Sequence, residues 1–187
     1  MNIWWVRHGP THQKTMVGWS DVPADLSDHA AIARLDAFLP AAPVMTSDLA
    51  RTIQTADALG NRPRLGRRAG LREMHFGAWE LRGFAEVEAE TPDLIRTFWE
   101  TPGDVAPPNG ESWNDFARRI NGVVDDLLAQ PFDDLIIVAH FGVIVAQIAR
   151  ALDITPYQAF GHRIANLSVT KITYPTPLKP DFINHLA

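Results

Sequence analysis

Three short apolar runs, each followed at once by polar residues, constrain this chain more than any other feature. The first run is Ile3-Trp4-Trp5-Val6, which ends at Arg7-His8-Gly9. So short a run of bulky and β-branched side chains, closed by glycine and proline, is typical of a buried strand. The arrangement recurs at 43–48 and at 135–140. Because open α/β sheets bind ligands outside the carboxyl ends of their strands, we expect the three strand ends to share one pocket.

Strand and helix patterns alternate along the rest of the chain. They predict an α/β fold of three layers, with a mostly parallel sheet covered by helices on both faces, in a single domain over 1–187. The expected elements are a helix from about Ser27 to Pro40, a helix capped by Ser47 or Asp48 and ended by Gly60, an edge strand at 62–66, helices on either side of Pro92, an amphipathic helix after a Ser112/Asp115 capping box, a buried helix at 143–152 and a strand at 167–174. We expect the tail after Pro175 to lie over the surface, and 84–110 to form a helical cap over the pocket.

The composition limits the classes of function. A chain without cysteine has no disulfides, thiol nucleophiles or cysteine-ligated metals, which favours a cytoplasmic protein. The net charge of -5 disfavours a nucleic-acid partner, because duplex binding needs a basic face. No apolar run approaches the length of a membrane span and no leader pattern precedes the first strand, so we expect no membrane partner.

Four sequence blocks occur in an order that matches one known family. They are Arg7-His8-Gly9 with Thr11, Ser47-Asp48-Leu49-Ala50-Arg51-Thr52-Ile53-Gln54-Thr55-Ala56, Leu71-Arg72-Glu73-Met74-His75-Phe76-Gly77-Ala78-Trp79-Glu80 and Ala139-His140-Phe141-Gly142. Together they resemble the signatures of the histidine phosphatase superfamily, with its phosphoglycerate mutase-like fold. With Gly110-Glu111-Ser112, the chain is most similar to the small phosphatase branch that includes the α-ribazole phosphatase-like proteins. The resemblance implies a phosphomonoesterase that needs no metal or other cofactor and acts on a small phosphorylated substrate.

His8 is the candidate nucleophile on this resemblance. Its imidazole must be neutral at the attacking nitrogen, so the other nitrogen should donate to a backbone carbonyl or a similar acceptor. Arg7 and Arg51 are the candidate phosphate clamps, and His140 would add a hydrogen-bond donor to the same phosphoryl group. Two arginines beside His8 also disfavour its protonation.

Glu73 is the candidate general acid and base. It would protonate the leaving oxygen and then accept a proton from the water that hydrolyses the phosphohistidine. Glu80 is the rival carboxylate, but the resemblance assigns the acid to Glu73 and leaves Glu80 a structural role. His8 and His12 have a spacing known from metal sites on helices, yet Gly9 and Pro10 disfavour a helix there, so we assign no metal.

Several residues depart from the usual family pattern and leave the substrate open. Lys14 stands where many relatives carry asparagine, and Phe141 replaces the second glycine of a frequent His-Gly-Gly. The residues that could line the substrate pocket are Thr11, Lys14, Trp19, His75 and Phe141.

Two alternatives to hydrolysis remain. One is a phosphoglycerate mutase-type transfer, which the compact chain disfavours by analogy with relatives that carry additional segments around the site. The other is a phospholigand-binding protein with little turnover. The oligomeric state is not predicted.

Overall fold

The computed structural model describes residues 1–174 and 178–187, and within them one sheet carries the site. Strands β1, β2, β3 and β4 run parallel in the order β3-β2-β4-β1, and β5 and then β6 extend the sheet beyond β1. Only β5 runs antiparallel to its neighbours on both sides. The strands are β1 (Asn2–Arg7), β2 (Val44–Thr46), β3 (Arg64–Arg67), β4 (Asp134–Ala139), β5 (Val169–Thr173) and β6 (Lys179–His185).

The helices cover both faces of this sheet, as predicted. They are α1 (His29–Phe38), α2 (Ala50–Asp57), α3 (Phe84–Glu90), α4 (Pro92–Glu100), α5 (Trp113–Leu128), α6 (Phe141–Leu152) and α7 (Pro156–Phe160), with short 3-10 turns at 69–71 and 77–79.

Alternate residues of the central strands enter two separate apolar cores. In β4, Leu135 and Ile137 pack with α5 and α6, whereas Ile136 and Val138 pack with α1 and α2. This period of two is what a strand covered on both faces requires. The predicted three-layer fold is therefore confirmed.

The helix boundaries differ from the sequence-based expectations where a neighbouring side chain competes for the cap. Asp28, not Ser27, accepts from the amide of Ala31 and begins α1. Neither Ser47 nor Asp48 is the N-cap of α2, which begins after Leu49. Their side chains bind His140 and Arg72 instead, as described below.

Two other helices begin where the sequence predicts, although the second does so without the predicted capping box. Pro92 separates α3 from α4 and occupies the first turn of α4, where its missing N–H costs nothing. The Ser112 hydroxyl caps α5 by accepting from the Asp115 amide, and it also donates to the Asp115 carboxylate. The carboxylate thus binds the capping hydroxyl and not the Ser112 amide that the predicted capping box requires.

The prediction for the tail after Pro175 is wrong in part. Lys179–His185 forms β6, which pairs antiparallel with β5 at the edge of the sheet. Pro180 is compatible with an edge strand because it removes only one ladder donor. Pro175, with the two residues after it, lies outside the described residues.

The strand order brings the polar strand ends together. β2, β4 and β1 are adjacent and parallel, so Ser47, His140 and His8 follow carboxyl ends on one edge of the sheet. No helix of the described residues has the length and hydropathy of a membrane-spanning segment.

Candidate active site

His8 is held with one ring nitrogen facing the pocket. Nδ1 lies 2.7 Å from the Gly9 carbonyl oxygen, which can only accept, so Nδ1 carries the proton and Nε2 is left with a free lone pair. The Gly9 amide donates to the Thr55 hydroxyl and Asn166 donates to the His8 carbonyl, which fixes the backbone on both sides. The tautomer is the one that a nucleophilic Nε2 needs.

Burial lowers the pKa of His8 to about 3, and the positive charges of Arg51 and Arg7 act in the same direction. The hydrogen bond to Gly9 opposes them without reversing the shift. The ring is therefore neutral at any pH near 7.

Arg51 and His140 form one buried unit beside His8. The rings of His8 and His140 lie 5.3 Å apart between centroids, and Arg51 Nε donates to His140 Nδ1 at 3.2 Å. His140 Nε2 then carries the proton and faces Ser47 Oγ at 2.9 Å. For His140 to donate to a bound phosphoryl group, one of these contacts must be exchanged, and that role stays a prediction.

The terminal nitrogens of Arg51 bind a loop. They donate to the carbonyl oxygens of Ser20 and Gly18 at 2.9 and 2.6 Å. Among the described residues these are their only partners, so one N–H on each terminal nitrogen remains for an anion. Gly18 must be glycine, because a Cβ there would meet the Met74 carbonyl oxygen at 2.0 Å.

Arg7 is the second buried guanidinium. Its NH1 donates to the Ile164 carbonyl at 2.5 Å, whereas its buried Nε has no partner among the described residues. Burial lowers the pKa of Arg7 and of Arg51, and the charge of Glu73 partly offsets this for both. Neither arginine has a carboxylate within 4.0 Å in residues 1–174 or 178–187. Two desolvated cations without a direct counter-ion favour the binding of an anion.

Glu73 lies in the loop after β3, close enough to Arg7 and Arg51 for their charges to act on its pKa. Its two carboxylate oxygens accept from the amides of Met74 and Gly142, at 3.1 and 3.0 Å. Gly142 follows His140 by two residues, so this contact joins Glu73 to the phosphate-binding edge. A Cβ at Gly142 would lie 2.4 Å from a Glu73 oxygen, which explains the glycine.

The backbone of Glu73 is fixed by side chains that the sequence did not point to. Arg119 of α5 donates to the carbonyls of Gly70, Arg72 and Glu73, and it forms a bidentate pair with Glu111. Arg119 carries no local signal in the sequence. The only hint was Glu111, which belongs to the Gly-Glu-Ser segment of the family resemblance.

Glu80 binds backbone and not the pocket. Its carboxylate accepts from the amides of Gly18, Trp19, Ser20 and Phe76 and from the Ser20 hydroxyl. Glu80 therefore holds the loop whose carbonyls bind Arg51.

The two carboxylates have pKa values displaced in opposite directions. Burial raises the pKa of Glu73, although its amide partners and the two arginines oppose the shift. Partial burial would also raise the pKa of Glu80, but its hydrogen bonds outweigh that effect and hold the pKa below its ordinary value. The raised pKa of Glu73 favours its protonated form and the lowered pKa of Glu80 disfavours it, so Glu73 is the better candidate for the acid.

Of the residues predicted to line the substrate pocket, three contact the site or one another and two have no described bond to the site. The rings of Trp19 and His75 are in tilted contact with centroids 4.5 Å apart, and Trp19 Nε1 donates to the Glu73 carbonyl. Phe141 begins α6, with Arg7 Cζ 5.5 Å from its ring centroid. Thr11 is half-buried and Lys14 exposed, and no described hydrogen bond joins either to the site. Their roles stay predictions.

The described part of the chain groups no three His, Cys, Asp or Glu side chains as a metal ion would require. His12 instead pairs with Asp25, 2.7 Å away, on the exposed side of the loop.

Known proteins resemble this chain in sequence and in fold. Residues 3–177 match the histidine phosphatase superfamily (branch 1). The chain belongs to this superfamily.

Two curated relatives and one solved structure support the assignment. The glucosyl-3-phosphoglycerate phosphatase of Mycolicibacterium vanbaalenii is 33% identical over 163 residues, covering 79% of this chain and 72% of the relative. The adenosylcobalamin/alpha-ribazole phosphatase of Salmonella typhimurium is 30% identical over 161 residues, covering 81% and 80%. The crystal structure of the alpha-ribazole phosphatase from Shigella flexneri shares the fold, with a TM-score of 0.86 over 100% of this chain and 98% of that one at 23% identity. The predicted family, fold and phosphomonoesterase class are confirmed.

The histidines of this histidine phosphatase should make its stability depend on pH. The ordinary pKa of His8 is 6.5 and burial lowers it to about 3, so between these values the unfolded chain binds a proton that the folded chain does not. Stability contributed by neutral His8 is therefore present above pH 6.5 and lost as the pH falls towards 3. At pH 5 the loss from His8 alone is about 2 kcal/mol.

Denaturant unfolding at pH 7.5 and pH 5 would measure this effect. The wild type should lose about 2 kcal/mol more than His8→Ala between the two pH values. The comparison is needed because His140, whose pKa burial also lowers, acts in the same direction, whereas the raised pKa of Glu73 acts in the opposite one. Equal losses in the two proteins would contradict the assigned state of His8.

Proposed function

We propose that this protein hydrolyses small phosphate monoesters through a phosphohistidine formed at His8 Nε2. One observation carries the proposal: a neutral, oriented imidazole lies near two guanidinium groups that have no carboxylate partner among the described residues, and the charges of the same two groups act on a carboxyl group with a raised pKa. Phosphoryl transfer requires these parts and little else from a protein, since catalysis depends on alignment and on donors at the developing charge.

In the first step, the Nε2 lone pair of His8 attacks phosphorus and the ester P–O bond breaks. The leaving oxygen takes the proton of Glu73 and departs as a neutral alcohol. Arg7 and Arg51 bind the equatorial oxygens, whose charge they stabilise without moving.

In the second step, water attacks the phosphohistidine and gives a proton to Glu73. The P–N bond breaks, its electron pair returns to Nε2 and inorganic phosphate leaves. Both groups regain their starting states, so no other reactant is needed.

The substrates named for the relatives suggest the size of the ester. One relative is named as a phosphatase of glucosyl-3-phosphoglycerate and another as an adenosylcobalamin/alpha-ribazole phosphatase. Both names indicate phosphate esters of small metabolites as substrates. We propose a substrate of similar size for this protein, and a single domain over 1–187. We also propose that α3 and α4 form a cap over the site, because Trp99 of α4 borders the cavity beside Glu73. We also propose a cytoplasmic location, which the cysteine-free composition favours.

Rapid quenching tests the proposed intermediate. Wild-type protein mixed with a ³²P-labelled aryl phosphate and quenched in base should carry label on His8 that is stable to base and lost in acid. Free phosphate should follow with every turnover. Isomerised phosphoglycerate with little free phosphate would favour the mutase alternative, and bound phosphate without any turnover would favour a binding protein.

A further inference from the structure

An aromatic recess adjoins the carboxyl group of Glu73. Its volume is about 40 Å³, and apart from Glu73 no charged side chain of the described residues lines it. Its lining residues are Glu73, Met74, Phe76, Trp99, Trp113, Phe141, Gly142 and Phe160.

The walls come from remote parts of the chain and are packed on one another. Trp99 of α4 lies 5.7 Å from the ring of Phe160 in α7, and Phe160 lies 5.0 Å from Trp113 in α5, between centroids. Phe76 lies 6.1 Å from Trp99. These are ordinary edge-to-face or tilted aromatic contacts, so the recess is formed before any ligand binds.

The position of the recess fixes which part of a substrate faces it. A general acid must lie within hydrogen-bonding distance of the oxygen it protonates, so the leaving oxygen lies at Glu73. Because Glu73 also lines the recess, a group carried on the carbon bound to that oxygen can enter the recess. Phe141 joins the two regions, since its ring is a wall of the recess and also lies 5.5 Å from Arg7 Cζ.

The chemistry of the walls selects the leaving group. A polyol placed there would lose hydrogen bonds to water without replacement, which is unfavourable. An apolar group gains about 25 cal/mol for each Å² removed from water. Because an engineered cavity that holds benzene measures about 150 Å³, this recess takes the edge of a ring or a short branched alkyl group. Three of its lining residues, Trp99, Phe141 and Phe160, are only half-buried, so part of each side chain is open to a ligand.

We infer that the preferred substrates are phosphate monoesters of alcohols that carry an aromatic or branched apolar group next to the ester oxygen. This inference rests on the proposed phosphatase activity and identifies the substrate class of the same site. Phe141, Trp99 and Phe160 are its specificity-determining residues.

Benzyl phosphate and glycerol 1-phosphate are suitable probes, because both are esters of primary alcohols and differ chiefly in the polarity of the leaving group. Phosphate release should give a kcat/KM about 10- to 100-fold higher for benzyl phosphate. Phe141→Ala and Trp99→Leu should each lower that ratio at least about 3-fold. Tyr157→Leu, an exposed aromatic of α7 outside the recess, is the matched control and should keep the wild-type ratio.

The outcomes separate this inference from the function on which it rests. Equal kcat/KM for the two esters, or ratios unchanged in both recess variants, would overturn the inference and leave the phosphatase intact. No phosphate from these esters or from p-nitrophenyl phosphate would overturn both. If one of the two recess variants does not unfold cooperatively, it is set aside. The test then rests on the ratio measured for the other recess variant, compared with the ratio of the wild type.

Discussion

Replacing His8 with alanine should lower kcat for every phosphate ester by at least about 10⁴-fold, because no other group can form the covalent intermediate. The effect should not depend on the leaving group, since the same bond to phosphorus is lost in each case. Steady-state release of phosphate from p-nitrophenyl phosphate and benzyl phosphate would measure it. Base-quenched labelling of the variant should show no acid-labile phosphate.

The fold of His8→Ala should persist, which makes the kinetic result interpretable. Among the described residues, the only hydrogen bond of the His8 ring is to the adjacent Gly9 carbonyl, and the ring belongs to neither apolar core. Far-ultraviolet circular dichroism and a cooperative unfolding transition would verify this. A folded variant with more than about one-hundredth of the wild-type turnover would exclude His8 as the nucleophile.

Replacing Glu73 with glutamine should produce a loss that does depend on the leaving group. The first turnover of benzyl phosphate, whose alcohol must be protonated as it leaves, should slow by about 10²- to 10⁴-fold. The first turnover of p-nitrophenyl phosphate should slow by about 10-fold or less, because nitrophenolate leaves without a proton. A burst of nitrophenol should then appear, since hydrolysis of the phosphohistidine lacks its base.

Glu86→Gln is the control for this experiment. Glu86 pairs with Arg82 on the surface, where its side chain is 58% exposed, so its loss should change neither rate. Glutamine at position 73 keeps one acceptor oxygen for the two amides that hold Glu73, so folding must be checked as well. Equal slowing of both esters by Glu73→Gln would point to another acid.

Local patterns were sufficient to predict the convergence of the strand ends. Each apolar run is short and ends abruptly at a polar or charged residue. Such a residue at the end of a buried strand usually binds a ligand or belongs to a buried hydrogen-bond network. A parallel arrangement then brings Arg7, His8 and His140 to one edge of the sheet whatever the details of the loops. The family signatures added Glu73, which no periodicity could have placed.

Other features depend on tertiary contacts that leave no trace in a local window. Arg119 lies in the middle of α5 and donates to the backbone carbonyl of Glu73. In the sequence alone it cannot be distinguished from an exposed helical arginine. The three prolines near the end of the chain disfavoured a strand prediction, yet β6 contains Pro180, because the edge of a sheet tolerates a proline. Ser47 and Asp48 have good capping chemistry, but their side chains bind buried His140 and half-buried Arg72 instead.

The strand that precedes the nucleophile is synthesised long before the two strands that pair with it. β1 lies between β4 and β5, so nothing pairs with it until the chain has been synthesised past residue 134. Until then the run Ile3–Val6 is an apolar segment without a sheet, of the kind that chaperones bind and that associates with other chains. The native topology is rich in long-range pairing and favours slow folding, so the active site is completed only after β4 and His140 have been synthesised.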